Sequence, residues 1–108
     1  MLVHNGSIHE AVAAEVEKAR RSFGPEVLRF RYIMQEDTAG EPAIYFRFVL
    51  ADWAVFNNKV VNSKALASVT GKIKNVIFDE IQPYEKWGLY PYTSFRADSE
   101  MHIDPKWA

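Results

Sequence analysis

The feature that most constrains this chain is a pair of alternating runs separated by a short polar turn. From Val27 to Gln35 the residues alternate with a period of two. Leu28, Phe30, Tyr32 and Met34 point one way, and Arg29, Arg31 and Ile33 point the other. From Ala43 to Ala51 the pattern returns, with Ile44, Phe46, Phe48 and Leu50 on one face and Tyr45, Arg47 and Val49 on the other. Glu36 to Pro42, with Gly40 and Pro42, lies between them. Two such runs joined this way form an antiparallel hairpin with one apolar face.

That face needs a cover, and two helical stripes can supply it. Ile8, Val12, Val16, Ala19 and Phe23 recur every three or four residues, which predicts a helix from about Ile8 to Ser22. Ser7 and Glu10 have the spacing of a capping box, and Gly24-Pro25 is a stop signal. A second stripe of Leu66, Val69, Ile73, Val76, Ile77 and Ile81 predicts a helix from a cap at Ser63 to about Ile81, closed by Pro83. Gly71 inside it costs about 1 kcal/mol against alanine and marks a kink or a close helix–sheet contact. Asp52 to Asn62 reads as a connection whose aromatics tuck under the fold. Tyr84 to Pro91 reads as an aromatic loop, and Tyr92 to Asp98 as a third strand with Phe95 inward. The expected fold is therefore a two-layer α+β domain in the order αββαβ, both helices on one face of a three-stranded sheet. The third strand docks parallel to one of the others if the helix serves as a crossover.

Length and composition agree with one domain over 1–108, its end from residue 101 to 108 reading as a loose tail that Trp107 could anchor. The chain has no cysteine, which suits a reducing compartment and removes thiolate chemistry. The formal charge is −1, so no global field draws it to nucleic acid or membrane. Met1 to Ser7 has neither the basic start nor the apolar run of a signal peptide, and the longest apolar run, Phe48 to Ala51, cannot span a bilayer. A cytoplasmic location is expected.

The face turned from the helices is the candidate interaction surface. It carries Arg29, Arg31, Arg47 and Arg96 with Tyr45 and Tyr92, roughly +4 by simple counting. Planar guanidinium forks hold carboxylates or phosphates, and the rings offer stacking surfaces. The same residue types also make an ordinary solvent-side strand face. Val27, Ile33 and Val49 share it and make it partly apolar, which suits a protein partner or self-association better than RNA. A second candidate is the aromatic loop, where Trp87 and Tyr90 could anchor a partner or pack on the helix ends.

Motifs of catalysis are not evident. His4, His9 and His102 lack metal-ligand spacing, and no cofactor or metal is expected. Asp52, Asp79 and Glu80 have no recognisable base or nucleophile beside them. Gly71-Lys72-Ile73-Lys74 lacks the second glycine and the hydroxyl residue of a phosphate loop. No serine lies in a G-x-S-x-G elbow.

Pro42-Ala43-Ile44-Tyr45-Phe46-Arg47, Val69-Thr70-Gly71, Trp87 to Tyr92, and Phe95-Arg96 with Ser99-Glu100 resemble segments of a group of small uncharacterised bacterial proteins. That resemblance covers most of the chain. It implies a protein of the kind found on accessory or mobile segments, including toxin–antitoxin-type loci, and carries no activity. The element order is also similar to type II KH domains such as ribosome-binding factor A, with Gly71 in place of a helix kink. That resemblance implies RNA binding, although the chain lacks the G-x-x-G loop such domains use. The expected function is a non-enzymatic binding or interaction protein. The alternatives are a KH-like RNA-binding module, or a small enzyme with a site around Asp79, Glu80 and the aromatic loop.

Overall fold

The computed structural model describes residues 5–102. In chain order it has helix α1 (Asn5–Ala19), a 3-10 turn (Arg20–Phe23), strands β1 (Val27–Glu36) and β2 (Pro42–Leu50), a short helix α2 (Asp52–Val55), and two-residue strands β3 (Phe56–Asn57) and β4 (Val60–Val61). Helix α3 (Ser63–Asn75) follows and runs into a π-helical turn (Val76–Ile81). Helix α4 (Pro83–Trp87), strand β5 (Tyr90–Ala97) and a 3-10 turn (Asp98–His102) complete it. The main sheet has the order β1-β2-β5, with β2 antiparallel to β1 and parallel to β5. A parallel pair requires a long crossover, and the chain from α2 to α4 supplies it. The architecture is the two-layer αββαβ arrangement that the alternating runs and helical stripes imply.

The core lies between the sheet and the helices. Val12, Val16 and Phe23 meet Ile44, Phe46, Phe48 and Leu50 of β2 and Val69, Ile73, Ile77 and Ile81 of the α3 segment. Phe48 is its aromatic centre, with ring centroids at 5.1 Å from Phe23, 5.5 Å from Phe30 and 5.5 Å from Phe95. Edge and offset contacts of this kind add to plain burial. Two surface pairs tie the helices down at their ends: Lys86 Nζ reaches Glu15 Oε1 at 2.6 Å, and Ser22 Oγ donates to Glu80 Oε1 at 2.9 Å.

Several local expectations are corrected. Helix α1 spans Asn5–Ala19, so Ser7 stands within it and not at the position before its first turn. Asn62, not Ser63, caps α3, its side-chain oxygen accepting from Ala65 N at 3.1 Å. Gly71 meets nothing within 4 Å of where a Cβ would stand, so it serves no close contact. The irregularity falls later, where Gln82 N donates to the carbonyl of Ile77, five residues back, at 2.8 Å. That wider turn rotates Ile81 into line with Ile73 and Ile77, and all three are fully buried. Pro83 ends this helix as expected and opens α4 at its first position, where a proline needs no N–H partner.

Two of the corrections concern exposure. A bulge between Val27 and Arg29 inserts Leu28 and shifts the register, so Leu28 turns outward, 49% exposed, and Val27 packs on the core. Val27 therefore leaves the open face, and Val49, although on that side of the sheet, is buried, so Ile33 is the apolar strand residue exposed there. Trp53 does not tuck under the fold: it stands on α2 with 67% of its surface exposed. Trp107 lies outside the described residues.

Candidate interface on the helix-free sheet face

Strand register decides what the open face carries. Ile33, Tyr45 and Tyr92 form one row across β1, β2 and β5; Arg31, Arg47 and Ser94 form the next; Arg29, Val49 and Arg96 the third. Residues in one row share a face, so all four arginines leave the side of the sheet opposite Phe30, Phe48 and Phe95. A fourth row at the turn end holds Gln35, Ala43 and Tyr90.

The face is graded along the strands. At the turn end it is aromatic. Tyr45 and Tyr92 stack at 4.9 Å with planes 14° apart, and Tyr90 meets Tyr92 edge-on at 5.0 Å and Tyr84 at 6.5 Å. Ile33, about half exposed, lies beside them. Tyr92 is fixed by its hydroxyl, which donates to Asp37 Oδ2 at 2.9 Å across the hairpin turn. That bond holds the Tyr92 phenol above its ordinary pKa, because the neutral form is the donor.

In the middle row, two arginines stand directly opposite each other on β1 and β2, an arrangement that costs stability unless anions compensate. Arg47 and Arg96 have partners within the chain, and Arg29 Nη1 lies 3.4 Å from Asp98 Oδ1. Arg31 has no hydrogen-bond or ion-pair partner among the described residues. With Tyr32, Ile33, Gln35, Tyr45 and Arg47 it lines a depression of about 250 Å³.

The expected aromatic loop divides. Four of its residues form α4 and two open β5, leaving Gly88 and Leu89 between them. Trp87 packs against the core, whereas Tyr90 joins the open face. Sequence periodicity could have found this, since Tyr90 and Tyr92 continue the alternation of Ser94 and Arg96. The aromatic name of the segment hid its strand phase.

The acidic candidates do not assemble. Asp79 and Glu80 are exposed and line a depression with Ala67, Ser68, Gly71, Lys72, Asn75 and Val76, apart from the aromatic residues. Asp52 accepts Ser99 N at 3.0 Å. Among the described residues no group of His, Asp and Glu could hold a metal ion, and no helix is long and apolar enough to cross a membrane. His9 is exposed on α1, and His4 lies outside the described residues.

Comparison with known proteins finds no matching family model and no significantly similar curated protein or solved structure.

Proposed function

We propose that this chain is a small non-enzymatic binding module that takes an acidic, partly apolar protein segment on its helix-free sheet face. The observation that carries the reading is the adjoining of Tyr45 and half-exposed Ile33 with Arg31 around one depression, with Tyr92 stacked on Tyr45 and Tyr90 beside Tyr92. Tyrosine and arginine are the residue types that dominate binding energy at protein interfaces. A carboxylate on the partner would also pair the exposed Arg31 guanidinium.

A single-stranded nucleic acid fits this face less well. Base recognition needs rings with free faces, and Tyr45 and Tyr92 each spend one face on the other. The test is selection of displayed random peptides on the folded protein, with counter-selection on the Tyr45→Ser, Tyr90→Ser double variant. Both changes lie on β2 and β5 and leave β1 untouched. Enrichment of Asp- and Glu-bearing apolar peptides that do not bind the variant supports the reading. Peptides that bind both proteins equally, or salt-sensitive binding of a labelled oligonucleotide with no peptide enriched, overturns it.

A further inference from the structure

The longest strand of the sheet is also an edge: among the described residues β1 pairs only with β2. Which of its backbone groups point outward follows from the hairpin turn. Asp37 N donates to the Glu41 carbonyl at 2.8 Å, which makes Asp37 and Glu41 a hydrogen-bonded pair. In an antiparallel ladder such pairs alternate, so Gln35/Ala43, Ile33/Tyr45 and Arg31/Arg47 are also hydrogen-bonded pairs. The N–H and C=O groups of Phe30, Tyr32 and Met34 therefore face away from β2. Among the described residues no strand pairs with them there, and they form a row of donors and acceptors on the edge of the sheet.

We propose that β1 pairs with β1 of a second copy of this chain, antiparallel about a two-fold axis at Tyr32, to give a continuous six-stranded sheet. Charge and apolar matching together select this register: axes at Ile33 or Met34 oppose no like charges but set Phe30 or Tyr32 against the partner's Glu36. An axis at Arg31 would set that arginine against its own symmetry mate, and an axis at Phe30 would set Arg29 against Arg31; both put like charges directly opposite. With the axis at Tyr32, Arg31 faces the partner's Ile33 and Arg29 faces the partner's Gln35, with no like charges opposed. On the core side Phe30 faces the partner's Met34. Phe30, Tyr32 and Met34 of both copies then meet as the hydrogen-bonded pairs, the phase their outward groups require. The bulge at Val27–Arg29 ends the pairing at one side, and the turn at Asp37 ends it at the other. Such an interface is isologous, each copy giving the same strand.

This proposal concerns the edge of the sheet rather than its face, so its test reads mass and register rather than peptide binding. Sedimentation velocity over a range of concentrations is expected to find a monomer–dimer equilibrium. Ile33→Arg sets two new like-charge pairs against Arg31 and should weaken the dimer by roughly tenfold. Ile33→Glu sets two opposite-charge pairs there and should tighten it severalfold. Ile33 is half exposed, so neither change disturbs the core. The chain has no cysteine, which makes engineered crosslinks unambiguous. Oxidising a mixture of the Arg31→Cys and Ile33→Cys proteins should yield mainly the mixed dimer. A monomer at every concentration, a dimer indifferent to both Ile33 changes, or preferential crosslinking of Ile33→Cys to itself would each overturn the proposal.

Discussion

Asp37 shows how much one side chain can organise. Its carboxylate accepts Ala39 N at 2.9 Å and Glu41 N at 3.0 Å on one oxygen and the Tyr92 hydroxyl at 2.9 Å on the other. The turn is thereby shaped and joined to β5, which lies two strands away. The Glu41 N–H, then the Tyr92 hydroxyl, hold the Asp37 pKa below its ordinary value, because each donor favours the charged form. The folded pKa thus lies under the unfolded one, and as pH falls the unfolded chain takes up the proton first. The stabilisation is full above the ordinary aspartate range and is lost as pH falls through the depressed folded value. Asp37→Asn should lower the melting temperature at neutral pH and flatten its fall in acid. Thermal melts of both proteins from neutral to acid pH should converge at the acid end; a constant gap would mean that shape, not charge, is what the substitution removes.

At the scale of elements, the hairpin, both long helices and the arginine face could be read from periodicity, because each buries one regular stripe against the same core. What escaped the reading did so for identifiable reasons. The bulge at Leu28 leaves the alternation of residue types intact while shifting the backbone by one position. The π turn is invisible because Val76, Ile77 and Ile81 fit an ordinary helical stripe almost as well. The small β3–β4 hairpin was hidden by its turn. Asn58 and Lys59 both have positive φ, 52° and 69°, where Asn-Gly would have advertised the type. A lysine in the left-handed region is strained, so Lys59→Gly should stabilise this hairpin by roughly 0.5–1 kcal/mol. Because the hairpin pairs with nothing else in the sheet, the gain should register locally. Amide exchange at Asn57 and at Asn62, whose N–H donates to the Val55 carbonyl at 2.8 Å, should slow while exchange in β2 stays unchanged.

For the molecule as a whole, both proposed surfaces are borrowed from one core. The open face is the reverse side of β2, and the free edge is β1, which is held by β2 alone. Phe48 is fully buried at the point where the 3-10 turn after α1, β1, β2 and β5 all contribute aromatic contacts. Truncating such a residue typically costs about 3–5 kcal/mol, against a total of about 5–15 kcal/mol for a domain. Phe48→Ala should therefore bring the chain close to unfolding, whereas Tyr45→Ser, three residues along the same strand on the other face, should alter binding far more than stability. Urea unfolding followed by tryptophan fluorescence and by far-ultraviolet circular dichroism tests the premise. Coincident transitions, both displaced to lower urea in Phe48→Ala, mean that helices and sheet stand or fall together. Transitions that separate would mean that the helix layer can leave a sheet that persists, and the face and edge would then no longer depend on the packing beneath them.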